Sequence, residues 1–336
     1  MNKRIKTIAL AVLLMAGITF TTHSQMSDIR ALQESLMNLS EDFAKSLPFN
    51  ASLGLNWADS YIGKFIPSIP PHFGVGASFG FTTADMPSVK TVVDYLGYTI
   101  PNDSKRLKYP GYTIEGRMGG ILFPLDVGLK FGYLPYKDIP GNEIDLYSLL
   151  VGGDVRFVVI DGKSDRSRPN VSLGFGLNYL RGGVEGSSKV SKTLSFGPAN
   201  LKLENPDVDL KWSCFSLDLK GQVSKTFAIF TPYLGIGGSY GWSTVKYSVD
   251  ADVTVNSRPI DQAYINVINI LLDGLGLQGM ELSQSGISSS SKDSAFNLRF
   301  FGGFSVNLSI FRLDLTGLYT PMGNNYGFGL GARMQI

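Results

Sequence analysis

The amino-acid sequence predicts an all-β fold, a transmembrane antiparallel β-barrel of about ten strands with an N-terminal helix and plug-like segment and helical external loops. Three observations predict it. Apolar residues alternate with glycine or polar residues over unusually long stretches. The connections between those stretches are short and long by turns. A cationic, apolar leader opens the chain. Only 17% of the 336 residues are charged, against about 25% in an ordinary soluble domain, which suits a surface that meets lipid.

Lys3, Arg4 and Lys6 precede an apolar run from Ile8 to Ile18. That run has the length of a signal-peptide core and is too short to span a bilayer as a helix. Thr22 and Ser24 supply small residues for cleavage after Ser24, so 1–24 read as a signal peptide and the chain as exported. Losing the leader removes those three bases and no acid, which takes the formal charge from +2 to −1 and gives no footing for nucleic acid. The single cysteine, Cys214, cannot form an intrachain disulfide, and no cysteine near the cleavage point could carry a lipid anchor.

Residues 25–70 read as the N-terminal helix and plug, and 71–336 as the barrel. Ile29, Leu32, Leu36, Leu39, Phe43 and Leu47 recur at spacings of three and four, which predicts an amphipathic helix over 27–47 with Ser27 as its N-cap. The period then changes to two. In the last segment Tyr326, Phe328, Leu330, Ala332, Met334 and Ile336 alternate with Gly327, Gly329, Gly331, Arg333 and Gln335. Equivalent patterns place strands at 71–82, 111–121, 125–135, 144–160, 169–181, 208–224, 231–249, 294–307, 310–320 and 325–336. Several exceed the usual globular strand and suit a tilted crossing of ~9–11 residues through a bilayer. With the C-terminus in the periplasm, 83–110, 136–143, 182–207, 250–293 and 321–324 become external, and 122–124, 161–168, 225–230 and 308–309 periplasmic. The long connections fall outside and the short ones inside, as in bacterial outer-membrane barrels. The expected location is the bacterial outer membrane.

The leader, the alternating segments and the terminal strand resemble outer-membrane barrels of diderm bacteria. The stretch from Leu47 to Thr82, with Asn50, Trp57, Tyr61, Pro70, Pro71, His72 and Phe73, resembles outer-membrane proteins of spirochaetes, some of them treated as relatives of the FadL long-chain fatty-acid channels. That resemblance implies an N-terminal plug within the lumen, apolar external loops that dock hydrophobic substrate, and partners among hydrophobic small molecules, outer-membrane lipid and the barrel assembly machinery. The chain departs from the FadL pattern in lacking the Asn-Pro-Ala plug motif, in having fewer strands, and in ending on Ile336 rather than an aromatic residue. The smaller OmpW-like barrels are similar in the same general way.

Two external segments read as apolar helices. In 260–275, Ile260, Ala263, Tyr264, Val267, Ile268, Ile270, Leu271 and Leu272 leave almost no polar face, and in 88–96 Val89, Val92, Val93 and Leu96 share one. They pack on each other as a lid or line a groove for a hydrophobic ligand, for which Val89, Val92, Val93, Leu96, Tyr264, Val267, Ile268 and Leu271 are the candidates. Inward charges come in opposite-sign sets: Glu115 with Arg117, Asp126 with Lys130, Asp154 with Arg156, Asp218 with Lys220, and Arg299, Arg312, Asp314 and Arg333 together. They either pair structurally or line a polar path. Frequent inward glycines, such as Gly74, Gly76, Gly128, Gly174, Gly235 and Gly327, relieve curvature or leave room for the plug. Gly174-Phe-Gly176 and Gly235-Ile-Gly237 lack the βαβ context of a nucleotide site.

No enzyme is expected. His72 is the only histidine after the leader and lies at the periplasmic rim, and Cys214 has no histidine partner, so no nucleophile and base come together. No cofactor, metal or nucleic acid is expected either, and the sequence leaves the oligomeric state open. The leading expectation is a passive channel for small or hydrophobic molecules such as long-chain fatty acids. The competing one is a surface adhesin or antigen whose loops bind while the barrel serves as a platform. Continuity of the lumen around the N-terminal segment separates the two.

Overall fold

The structure, a computed structural model, describes residues 25–62, 71–87, 106–120, 124–135, 144–162, 168–187, 192–196, 199–255, 258–259, 262, 265–266, 269–270, 280–283 and 286–336. The leader and the expected helix at 88–96 lie outside the described residues. Helix α1 spans Gln25–Asn50. Ten long strands follow: β1 (His72–Asp85), β2 (Arg106–Gly119), β3 (Leu125–Leu134), β4 (Ile144–Ile160) and β5 (Asn170–Ser187), then β6 (Ala199–Ser224), β7 (Phe230–Val255), β8 (Gly286–Leu308), β9 (Phe311–Thr320) and β10 (Asn325–Gln335).

Each strand pairs antiparallel with its neighbours in sequence, and β1 pairs with β10 from Gly74↔Gln335 to Thr82↔Gly327, which closes the ring. Closure removes every sheet edge, the condition for burying strand backbone in hydrocarbon. The last residue takes part: Phe73 N–H donates to Ile336 O at 3.1 Å and Ile336 N–H to Phe73 O at 2.9 Å. An aliphatic terminus therefore completes the seam through its backbone.

The wall is inside out relative to a soluble protein. Leu129, Leu219 and Leu234 stand 67%, 62% and 68% exposed on the outer surface, while Asp126, Arg156 and Arg299 are buried within. Period-two alternation produces this because successive side chains leave opposite faces of a strand. Tight turns such as Ser309–Ile310, with Ser309 at φ 58°, lie at the end that carries the C-terminus.

Six strands run further outward than the sequence pattern predicts, β1 to Asp85 and β2 from Arg106 among them. β5 reaches Ser187, β6 begins at Ala199, β7 reaches Val255 and β8 begins at Gly286, so parts of the expected loops 182–207 and 250–293 are strand. Short strands at Lys192–Phe196, Arg258–Pro259 and Met280–Ser283 pair with β6, β7 and β8 there. The reason is physical. Outside the apolar belt both faces of a strand meet water, so alternation fades, yet the backbone ladder continues, as in Ser288–Ser290 against Ser248–Lys246. Of the expected 260–275 helix, the described residues Gln262, Ile265, Asn266, Asn269 and Ile270 are helical; Ile265 is buried and Ile270 is exposed.

An arginine in the outer belt should be costly in proportion to its depth. Leu219→Arg, in the lipid-facing part of β6, is expected to lower the free energy of folding into phosphatidylcholine vesicles by about 2–4 kcal/mol, read from denaturant titrations. A change below ~1 kcal/mol would place Leu219 in water rather than lipid.

Candidate functional site: a plugged lumen

The N-terminal segment fills the barrel, and its contacts descend in order from the outer mouth to the periplasmic rim. Phe43 meets Trp212 edge-on, with ring centroids 5.1 Å apart. Lys45 O accepts from Asn297 at 3.0 Å, and a Cβ on Gly241 would meet Pro48 Cγ at 2.5 Å. Lower down, Tyr233 Oη donates to Asn56 O at 2.9 Å, and Arg156 donates to Asp59 O at 2.6 Å. At the rim Ser60 Oγ donates to Ser224 Oγ at 2.9 Å, and Ile62 N–H to Asp126 Oδ2 at 3.1 Å.

The outer half of this interior holds an apolar cluster, with Thr83, Ser148, Ser243 and Thr320 buried beside it. Phe43, Ala44, Leu47 and Phe49 pack with Ala84, Met86, Tyr109, Leu150, Leu180, Trp212, Val245 and Leu318 of the wall. Amphipathic α1 supplies the matching stripe. Cys214 is part of this packing and 1% exposed.

The inner half is charged. Residues 51–62 have no regular secondary structure, so their backbone groups need partners from the wall. Lys130 Nζ donates to Ala51 O at 2.8 Å and Leu53 O at 2.6 Å; Gln222 Nε2 donates to Trp57 O at 2.9 Å and Ala58 O at 3.1 Å. Trp57 is the largest anchor. Its indole N–H donates to Glu115 at 2.6 Å, and its ring lies 4.5 Å from the Arg333 guanidinium and 5.6 Å from that of Arg117. Asp59 is 2.9 Å from Arg333 and 3.7 Å from Arg312.

All twelve charged candidates face the interior, but their ion pairs run between strands, so of the sets read from the sequence only the last, through Arg333 and Asp314, pairs within itself. Arg117 bonds Asp126 and Asp154, each at 2.6 Å; Arg156 takes the other oxygen of Asp126 at 2.7 Å. Lys220 pairs with Asp154 at 2.6 Å, Arg299 holds both oxygens of Asp218 at 2.8 Å, and Arg333 pairs with Asp314 at 2.6 Å. Cross-strand neighbours are closer than residues i and i+2 on one strand, about 5 Å against about 7 Å, so the wall pairs sideways. Two candidates serve the plug instead: Lys130 caps its carbonyls and Glu115 receives Trp57, with Thr113 also donating to Glu115 at 2.6 Å.

The glycines divide between the two roles the sequence suggests. A Cβ on Gly74 would meet the Trp57 ring at 2.8 Å, and one on Gly111 would strike Leu53 Cδ2, so these leave room for the plug. Added Cβ atoms on Gly76, Gly80, Gly132 and Gly303 would strike wall backbone instead. Gly54 is required twice over, by its φ of +83° and by Thr113 Oγ1, which would lie 2.8 Å from a Cβ. Between the plug and the wall near Gly76 and Gly331 the remaining cavity is about 30 Å³, room for a single water. Among the described residues, the lumen is occupied from Phe43 to Ile62.

The plug residues Trp57, Asp59 and Ser60 and the wall residues Gln222, Tyr233 and Ser224 are not among the sequence candidates. Gln222 and Ser224 share the inward parity of Asp218 and Lys220 and were legible on that ground. The apolar-loop candidates Val89, Val92, Val93, Leu96, Tyr264, Val267, Ile268 and Leu271 lie outside the described residues. His72 stands at the rim, its Nδ1 3.3 Å from Ile336 O.

A closed wall, an apolar belt and short turns on the side of the C-terminus define the setting. The chain is a bacterial outer-membrane β-barrel. No known family matches the sequence, and no curated protein is similar to it. Solved structures that resemble it include the outer membrane protease OmpT of Escherichia coli, at 11% identity over 83% of this chain and 100% of that one, with a TM-score of 0.41. The translocator domain of the autotransporter NalP of Neisseria meningitidis is 8% identical over 79% and 87%, with a TM-score of 0.37. The toluene transporter TbuX of Ralstonia pickettii is 8% identical over 79% and 89%, with a TM-score of 0.25. Such distant likenesses carry nothing about activity.

Removing Arg117 should expose the cost of the wall network. Arg117→Met leaves two buried carboxylates short of a partner, although Asp126 keeps Arg156 and Asp154 keeps Lys220. The expected loss is about 3 kcal/mol of unfolding free energy in detergent, the lower end for breaking a buried pair. An unchanged denaturation midpoint would mean that the pairs contribute nothing net.

Proposed function

We propose that the protein is a plugged outer-membrane channel, closed in the arrangement seen, for small hydrophobic molecules that carry an anionic group, such as long-chain fatty acids. One observation carries this reading: the wall behind the plug holds an apolar cluster in its outer half and a surplus of positive charge in its inner half. A water-filled porin has a polar interior throughout. Here a solute that replaced α1 would meet Tyr109, Leu150, Leu180, Trp212 and Val245. Deeper in, the buried wall bases Arg117, Lys130, Arg156, Lys220, Arg299 and Arg333 outnumber the buried acids Glu115, Asp126, Asp154, Asp218 and Asp314, and Asp59 of the plug evens the count. Arg312 at the rim adds a further base. Displacing the plug therefore uncovers a tail-accepting compartment above a head-accepting one.

The second reading, a surface platform whose external parts bind, draws on the occupied lumen and on the several wall side chains that hold the plug backbone. Planar-bilayer recordings separate the two. Deleting 26–60 should leave the strands able to insert and raise single-channel conductance, with reversal potentials in a salt gradient that favour anions. The same deleted form should also bind palmitate in its uncovered outer compartment, seen as quenching of Trp212 fluorescence. Cation preference or no palmitate binding in the deleted form would refute the proposed channel and leave the platform.

A further inference from the structure

The order of the plug contacts fixes the direction in which the segment threads the barrel. Phe43 and Lys45 lie against Trp212 and Asn297, far from the periplasmic ends of β6 and β8, whereas Ser60 and Ile62 lie against Ser224 and Asp126 at those ends. Lys45 Nζ also stands 3.6 Å from Asp293, farther outward still on β8. Going back along the chain thus moves outward, and α1 continues uninterrupted to Gln25. At 1.5 Å per residue its part before Phe43 adds about 27 Å beyond the Trp212 level. Leu39 still packs against the outer apolar cluster, as Leu146, Val184 and Leu210 of the projecting strands do, while Met37 and Asn38 are exposed.

We propose that α1 is threaded through the outer mouth of the barrel, so that its N-terminal end is displayed on the cell surface although the chain that follows it enters β1 from the periplasm. A plug that had entered from the periplasmic side would place Met37 and Asn38 below Asp59; the contacts place them above. The consequence holds for a channel and for a platform alike. The first turns of α1 join the ends of β5–β8 in the surface that an external ligand or antibody meets, and any force on them from outside acts directly on the plug.

Cys214 is buried, so a thiol introduced elsewhere can report its own location once Cys214→Ser removes the native one. In that background three single-cysteine variants are compared: Asn38→Cys, Met322→Cys in the outer turn and Thr226→Cys in a periplasmic turn, all at exposed positions. Intact cells are treated with a maleimide carried on a polymer too large for porins, and labelling is repeated after the outer membrane is permeabilised. Each variant is first shown to keep heat-modifiable migration, and Met37→Cys takes the place of Asn38→Cys if that variant does not fold. The expected result is that the α1 thiol labels in intact cells to the same extent as Met322→Cys, while Thr226→Cys labels only after permeabilisation. If the α1 thiol behaves like Thr226→Cys, or stays protected in both conditions while Met322→Cys labels, the proposed threading is overturned.

Discussion

The hydrogen bonds from wall side chains to the backbone of residues 51–62 are the constraint on which the rest depends. Irregular backbone at membrane depth is tolerated only where protein or water satisfies it, because an unpaired polar group in a low-dielectric interior costs several kcal/mol. Lys130, Arg156, Gln222 and Tyr233 meet that demand. Three of these are long and two are cationic, and a buried cation needs its own partner. Asp126 and Asp154 supply it for Arg156 and its neighbours, so the acids of the wall follow from the plug as much as from the barrel.

Packing imposes a second condition on the same region. Trp57 can bring its ring within 4.5 and 5.6 Å of two guanidinium groups only because Gly74 leaves the wall bare against it. Gly54 turns the chain with a positive φ in a space where Thr113 and Glu115 leave no room for a side chain, and Leu55 follows at φ 57°. Glycines weaken strands by roughly 0.5–1 kcal/mol relative to alanine. Here the closed ladder absorbs that weakness, and the plug fills the volume the missing side chains vacate.

These conditions divide the interior along its axis and link structure to the proposed transport. In the outer half an amphipathic helix can satisfy its own backbone, so the wall offers it apolar surface and Phe43, Leu47 and Trp212 interlock. In the inner half the chain lacks a helix, so the wall offers it donors. A solute taking the place of the plug inherits both environments, apolar first and cationic second. The same division makes α1 the outer end of the plug and the irregular segment its inner end.

Much of this was legible in one dimension. Period two is a property of strand backbone, so the number of long strands, the outward Leu129 and Leu219 and the inward Asp126 and Arg333 follow from parity alone. The helix at 27–47 was legible from its spacing and is observed as Gln25–Asn50. The outward extension of β5–β8 was not, since strands with water on both faces carry no alternation. Nor was the choice of partners. Arg117 pairs with Asp126 and Asp154 on β3 and β4 rather than with Glu115 two residues away, because register sets cross-strand distances and register is a tertiary property. Trp57 and Asp59 sit in a segment without periodicity, so nothing local marks them. Only the closed wall around them, with its glycine-lined faces and its surplus of cations, gives that indole and that carboxylate their places.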